Sequence, residues 1–141
     1  MEILSIKKER MINFQMGLIY TKIKIRNLLT KSDYLEVDSK IDTGATLLVL
    51  PEKVIKELDL PVIRQQNVKY ADESVQQWDV VWGVEVTLCG RIGVFEAIVE
   101  PKKKYALIGA VVMEALDLIV EPRSLGVYPN PRSSLPMAEI E

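Results

Sequence analysis

In residues 37–50, apolar and charged side chains first alternate, then a turn interrupts the pattern, and an apolar run follows. This interruption is the feature that most constrains the fold. Val37 to Ile41 place apolar or small side chains on one face and charged ones on the other, which predicts a half-buried β-strand. The pattern stops at Asp42-Thr43-Gly44, because aspartate and glycine are poor strand formers that suit a tight turn. The apolar run 47–50 follows at once. A carboxylate between two buried runs is costly to desolvate, so we expect Asp42 to be kept for chemistry.

Patterns elsewhere in the chain predict more short strands and little helix. Residues 67–88 predict a long hairpin with a polar tip at 71–77. Pro51 suits the first position of a short helix that Pro61 ends, and a second short helix is predicted at 111–116. Further strands are predicted at residues 17–27, 92–99, 118–120 and 125–128.

The composition is that of one ordinary globular domain. The chain has 141 residues, of which 48% are hydrophobic and 27% are charged, and this length supports a single core. Its net charge of -2 gives no overall field that would attract nucleic acid or an anionic membrane. No apolar run approaches the roughly 20 residues of a membrane span, and we find no secretory signal. The single Cys89 fits a reducing compartment. We therefore expect a cytoplasmic protein without nucleic-acid or membrane partners.

The absence of histidine excludes several hydrolytic mechanisms. Ser-His-Asp catalysis, Cys-His catalysis and HExxH zinc sites all require histidine, and one cysteine cannot form a Cys-rich zinc site. Carboxylates, a Ser-Lys pair or an oxygen-ligated metal remain. One isolated aspartate is a poor ligand set for Mg²⁺ or Ca²⁺, so we expect neither a metal nor a cofactor.

A second motif, Leu107-Ile108-Gly109, lies roughly sixty residues after the Asp-Thr-Gly turn. Two apolar residues followed by glycine predict a buried strand at a point where another backbone passes close by. Together with Asp42-Thr43-Gly44-Ala45, this motif resembles the retropepsin-like (retroviral-type, clan AA) aspartic proteases of the prokaryotic single-domain type. The resemblance extends from about Gly17 to Tyr128.

This resemblance implies an all-β fold, a retropepsin-like closed barrel of short strands with one or two short helices. It also sets the organisation that we expect along the chain. Residues 1–16 form an N-terminal arm, residues 17–131 form the aspartic protease domain, and residues 132–141 form a C-terminal tail that we expect to be mobile.

The resemblance also implies roles for the residues of the turn. Asp42 would be the catalytic residue, Thr43 would hydrogen-bond across a two-fold axis, and Gly44 would offer its N–H to the carboxylate. Ala45 stands where many relatives carry a serine. Because a serine hydroxyl can donate to the aspartate and favour its charged form, alanine predicts a less acidic activity optimum than that of secreted relatives.

Two further groups of residues would complete the site by the same resemblance. Leu107, Ile108 and Gly109 would support the turn from behind. A hairpin would close over the substrate as a flap, and its tip residues are Ala71, Asp72, Glu73 and Ser74. Flap tips in relatives are usually rich in glycine, whereas this tip contains none.

Catalysis by aspartate requires two carboxylates that share one proton. No aspartate other than Asp42 is followed by Thr-Gly or Ser-Gly. The second carboxylate must therefore come from a second copy of the chain, which predicts a homodimer that hydrolyses peptide bonds in a peptide or protein substrate. The alternative from the same fold is a non-catalytic module for dimerisation or peptide binding.

Overall fold

The computed structural model describes residues 19–121 and 123–140, so the expected N-terminal arm lies outside the described residues. The described part contains nine strands and two short helices. In chain order they are β1 (Ile19–Asn27), β2 (Leu35–Ile41), β3 (Leu48–Pro51), α1 (Glu52–Leu58), β4 (Val62–Lys69), β5 (Val75–Leu88), β6 (Arg91–Glu100), β7 (Ala106–Ile108), α2 (Ala110–Ala115), β8 (Leu118–Glu121) and β9 (Gly126–Pro129).

Six of the strands close into a barrel. Neighbouring strands pair in the order β1-β2-β7-β3-β6-β5, and β5 pairs back with β1 from Lys24 opposite Thr87 to Asn27 opposite Val84. β4 is hydrogen-bonded to β5 outside this ring, and β8 and β9 form a separate two-stranded sheet. The predicted all-β closed barrel with two short helices is therefore confirmed.

The barrel interior is filled by aliphatic side chains that alternate along the strands. In β1, Ile19, Ile23 and Ile25 are buried, while Tyr20, Lys22 and Lys24 are exposed between them. Full burial of one such side chain contributes about 1.5–3 kcal/mol. The period-2 pattern of the sequence thus decides which face of each strand closes the core.

Several element boundaries differ from the sequence-based expectation, and two of these differences have a clear structural cause. Pro51 ends β3 in an extended conformation, and α1 begins after it, because β3 continues its ladder with β6 until Pro51 lies opposite Glu100. The long hairpin begins at Val62, because Val62 pairs with Val81. Its turn is confined to residues 70–74, because Val75 pairs with Lys69 and extends the return strand into the polar segment.

No helix in residues 19–121 or 123–140 is long and apolar enough to cross a membrane.

Candidate active site

The Asp42 turn follows β2 directly and is held by backbone hydrogen bonds. The Asp42 N–H donates to the Ile108 carbonyl at 2.9 Å, and the Ala45 N–H donates to the Asp42 carbonyl at 3.0 Å. Thr43 and Gly44 are exposed, whereas Asp42 and Ala45 are half-buried. The turn therefore presents an acidic side chain at the rim of the barrel on a backbone that β7 fixes.

The second motif packs against the back of this turn. β7 lies between β2 and β3, with Ile108 opposite Ile41 and Leu107 opposite both Lys40 and Val49. A Cβ atom on Gly109 would lie 2.7 Å from the Ala45 carbonyl oxygen, so only glycine fits without displacing backbone. The structure thus brings residues 107–109 to the turn.

The first residues of α2 extend this contact. The Ala110 N–H donates to the Ala45 carbonyl at 2.8 Å, and the Val111 N–H donates to the Thr46 carbonyl at 3.0 Å. Two N–H groups that have no partner inside their own helix are satisfied in this way. The turn and the helix consequently hold each other in place through main-chain atoms alone.

The Asp42 carboxylate has few partners within the described residues. Its Oδ1 accepts the Gly44 N–H at 3.0 Å, and no hydrogen bond from residues 19–121 or 123–140 reaches Oδ2. The ion pairs of this part of the chain involve other acidic residues. Within the described residues, the Asp42 carboxylate is thus oriented by one backbone N–H and has one oxygen without a hydrogen bond.

The four residues predicted to form a flap lie at the exposed tip of the β4–β5 hairpin. The tip closes through the Tyr70 N–H, which donates to the Ser74 carbonyl at 2.9 Å. Glu73 takes a left-handed conformation with φ 72°, the position that glycine would favour. Hydrogen bonds from the Ser74 hydroxyl and then its N–H lower the pKa of the Asp72 carboxyl. No hydrogen bond joins the tip to the Asp42 turn within the part of the chain that the structure describes.

The neck of this hairpin contains residues that the sequence patterns did not identify. The Trp78 indole N–H donates to the Tyr70 hydroxyl at 2.7 Å, and that hydroxyl donates to the Glu100 carboxylate. Burial, followed by the bond to Glu100, raises the pKa of Tyr70. Glu100 is itself buried, so it ties the base of the hairpin to the end of β6. The polar tips of Tyr70 and Trp78, which need partners when buried, were the only sequence signal.

A second aspartate in a turn, Asp117, is surrounded very differently. Its carboxylate accepts hydrogen bonds from the Asn130 amide at 3.1 Å, the Ser133 hydroxyl at 2.9 Å and the Met137 N–H at 3.2 Å. These bonds, Asn130 first, lower the pKa of the Asp117 carboxyl. The C-terminal tail is therefore bonded to the domain as far as Met137, although the sequence predicted a mobile segment.

No group of three or more His, Cys, Asp or Glu side chains within residues 19–121 and 123–140 is arranged to hold a metal ion.

Solved retroviral proteases share this architecture. EIAV protease complexed with the inhibitor HBY-793 matches with 15% identity and a TM-score of 0.52, over 68% of this chain and 85% of that one. A foamy viral protease–reverse transcriptase in complex with an RNA/DNA hybrid matches with 20% identity and a TM-score of 0.53, over 69% of this chain and 12% of that one. The solution structure of simian foamy virus (mac) protease matches with 20% identity and a TM-score of 0.47, over 66% of this chain and 91% of that one.

No protein-family model matches the sequence, and no curated protein matches it significantly. The likeness is therefore one of fold, and at this level of identity it extends to the fold alone. The chain has a retropepsin-like aspartic protease fold, as its two motifs predicted.

Proposed function

We propose that this retropepsin-like chain is an aspartic endopeptidase that acts as a homodimer and hydrolyses peptide bonds. The observation that carries the proposal is the Asp42 turn. Its backbone is fixed by Ile108, its carboxylate is oriented by Gly44, and no ion pair within the described residues neutralises it. A carboxylate that served only to stabilise the fold would gain more from a larger set of partners.

The proposed chemistry uses two copies of Asp42, one from each subunit. One ionised carboxylate accepts a proton from a water molecule, whose oxygen attacks the carbonyl carbon of the scissile peptide bond. The other, protonated carboxyl donates a hydrogen bond to the carbonyl oxygen, on which negative charge develops. The C–N bond of the tetrahedral intermediate then breaks, and the carboxyl that took the proton from water gives it to the leaving amine nitrogen. Thr43 hydrogen-bonds across the two-fold axis and holds the two turns together, while the residues from Ala71 to Ser74 cover the substrate.

The proposed substrate is a peptide or an unstructured segment of a protein, and no cofactor takes part. We place the protein in the cytoplasm, where its single cysteine would stay reduced. The Cys89 thiol donates a hydrogen bond to the Val127 carbonyl at 3.3 Å, and burial raises its pKa. We therefore assign Cys89 a structural role.

Cleavage of casein by the wild type and by Asp42→Asn tests the activity. We expect the wild type to cleave casein, a statine-type inhibitor to block it, and Asp42→Asn to lose at least about 100-fold in rate. Asp33→Asn is the matched control, because Asp33 is an exposed aspartate in a loop. An Asp42→Asn protein that still cleaves casein would show that another group does the chemistry.

Subunit mixing tests the shared site separately. Excess Asp42→Asn protein should lower the activity of the wild type, because mixed dimers contain only one ionisable Asp42. Excess Asp33→Asn protein should not lower it. Sedimentation of the wild type as a strict monomer at concentrations where it is active would contradict the two-copy mechanism.

The second candidate is a non-catalytic module that binds peptides or dimerises. The flap tip favours it, because a tip without glycine whose turn is closed by its own hydrogen bonds is less suited to large movements. This candidate predicts that the wild type and Asp42→Asn bind peptides equally well and that neither cleaves them.

A further inference from the structure

Two surface cavities flank the loop of residues 101–104, which connects β6 to β7. The first has a volume of 530 Å³, and Tyr20, Lys22 and Tyr105 are among the residues that line it. The second has a volume of 620 Å³ and lies between this loop and α1, where Lys53, Lys56 and Lys103 contribute to its lining. Lys104 lines both cavities, so they form one continuous surface around the loop.

The charge of this surface is opposite to that of the chain. Five lysines and two carboxylates line the two cavities, which is a net charge of +3 in a chain whose net charge is -2. One of the carboxylates, Asp38, is paired with Lys22 at 2.9 Å. Lysines 53, 56, 103 and 104 form no ion pair with any residue in the described ranges. Within the described ranges, the charge of these four lysines is therefore not neutralised by an ion pair.

The surface also offers apolar and aromatic contacts beside the lysines. Tyr20 is 64% exposed, and its ring packs edge-to-face against Tyr105 with the centroids 6.5 Å apart. The Lys103 ammonium lies 5.7 Å from the centre of the Tyr105 ring. In the second cavity, Pro51, Val54 and Pro101 line the wall. A ligand that fits this surface carries negative charge together with apolar side chains.

The loop that carries the lysines is fixed to the barrel. The Lys102 N–H donates to the Glu100 carboxylate at 2.9 Å, and the Lys103 N–H donates to the Glu100 carbonyl at 3.2 Å. Because Glu100 is buried, these bonds tie the loop backbone to the end of β6 and stabilise this conformation. Lys103 and Lys104 are therefore presented on a pre-organised support, which lowers the entropic cost of binding.

From these observations we propose that the two cavities bind an acidic segment of a polypeptide, with an apolar or aromatic residue among its aspartates and glutamates. An extended polypeptide repeats its side chains on one face about every 7 Å, so it can place successive side chains on the two sides of the loop. A nucleic acid is less well matched, because Pro51, Val54 and Pro101 in the second cavity suit apolar side chains, which a phosphate backbone lacks. None of residues 42–45 lines either cavity, and the proposal does not rest on the proposed peptidase activity.

Fluorescence anisotropy of a labelled peptide rich in glutamate, with one central tyrosine, tests the site. Asp42→Asn protein is used so that the peptide stays intact. We expect saturable binding that weakens with added salt, and no binding of the same peptide with glutamine in place of glutamate. The double variant Lys53→Glu/Lys104→Glu should raise the Kd at least about tenfold, because two attractive contacts become repulsive.

A matched control variant separates binding at this site from a general effect of the protein's charge. Lys31→Glu/Arg132→Glu makes the same change of charge at two exposed residues outside both linings and should leave the Kd unchanged. Equal weakening by both double variants, or no binding by Asp42→Asn protein that is folded, would overturn the proposal. A labelled single-stranded RNA is tested in the same way. If it binds more tightly than the acidic peptide, and if the Lys53→Glu/Lys104→Glu change abolishes its binding, the choice of a polypeptide as ligand is wrong.

Discussion

Asp42 and Asp117 both lie in tight turns at the end of a regular element, yet the fold surrounds their carboxylates differently. Asp42 accepts one hydrogen bond, from the Gly44 N–H, within the described residues. Asp117 accepts hydrogen bonds from three separate residues of the C-terminal segment and lies beside the guanidinium of Arg91. The comparison teaches that the two turns differ in the number of donors around the carboxylate: Asp117 has several, which lower the pKa of its carboxyl, whereas Asp42 has one within the described residues.

The backbone around the two aspartates differs as well. The Asp42 turn is held by main-chain bonds and by the close approach of Gly109, so the carboxylate itself contributes little to holding it. At Asp117 the side chains hold the structure: Arg91 donates to the Leu116 carbonyl at 3.1 Å and to the Asp117 carbonyl at 2.8 Å. We therefore expect substitutions at the two sites to affect different properties.

Exchanging each carboxylate for an amide tests the comparison most directly. Asp42→Asn should lower peptidase activity at least about 100-fold and change the free energy of unfolding by less than about 0.5 kcal/mol. Asp117→Asn should keep the activity and lower the free energy of unfolding by more than Asp42→Asn does, because an amide cannot accept all three hydrogen bonds. Casein cleavage and urea unfolding measure the two effects. Loss of activity in a fully folded Asp117→Asn protein would break the distinction.

Gly109→Ala tests whether main-chain contact holds the Asp42 turn. The new methyl group would meet the carbonyl oxygens of Ala45 and Leu47 at 2.7 and 2.8 Å, and neither can move without breaking the turn. We expect a loss of about 3 kcal/mol in the free energy of unfolding. Gly90→Ala is the control, since nothing lies within 4 Å of its added Cβ and only the positive φ costs about 1 kcal/mol. Equal losses in both variants would argue against close packing at Gly109.

The pH dependence of stability sharpens the role of Asp117. Its pKa is lowered in the folded protein, mainly by Asn130 and Ser133, so its contribution is present above the unfolded pKa of about 3.9. That contribution is lost as the pH falls through the lower folded pKa. The difference in unfolding free energy between the wild type and Asp117→Asn should therefore shrink below about pH 4. A difference that stays constant from pH 7 to pH 3 would mean that the carboxylate is not favoured in its ionised form.

Of these substitutions, Ala45→Ser has the smallest expected effect on activity and stability. It adds a hydrogen-bond donor beside the Asp42 carboxylate, which makes its surroundings more like those of Asp117. A serine hydroxyl beside Asp42 could donate to its carboxylate and favour the charged form. We expect the pH optimum of casein cleavage to shift to lower pH by a fraction of a unit, with little change in stability. An unchanged optimum would show that the hydroxyl does not reach the carboxylate.

Local patterns predicted the elements that position the candidate site. The alternation before Ile41, the turn at Asp42 and the glycine at position 109 are set by residues that are close in sequence, so propensity and period suffice to identify them. The boundaries of α1 and of the long hairpin were less predictable, because pairing with distant strands extends β3 to Pro51 and lengthens the hairpin on both sides of its turn.

The sequence by itself thus determined the class of fold, a barrel of short strands, and the acidic turn that its motifs mark. Only the tertiary structure decided that Asp117 has several hydrogen-bond donors, that Glu100 ties the neck of the β4–β5 hairpin to β6, and that lysines from a helix, a loop and a strand meet around two cavities. The reason is physical. A side chain's partners come from segments far apart in the chain, and only the tertiary fold makes these segments neighbours.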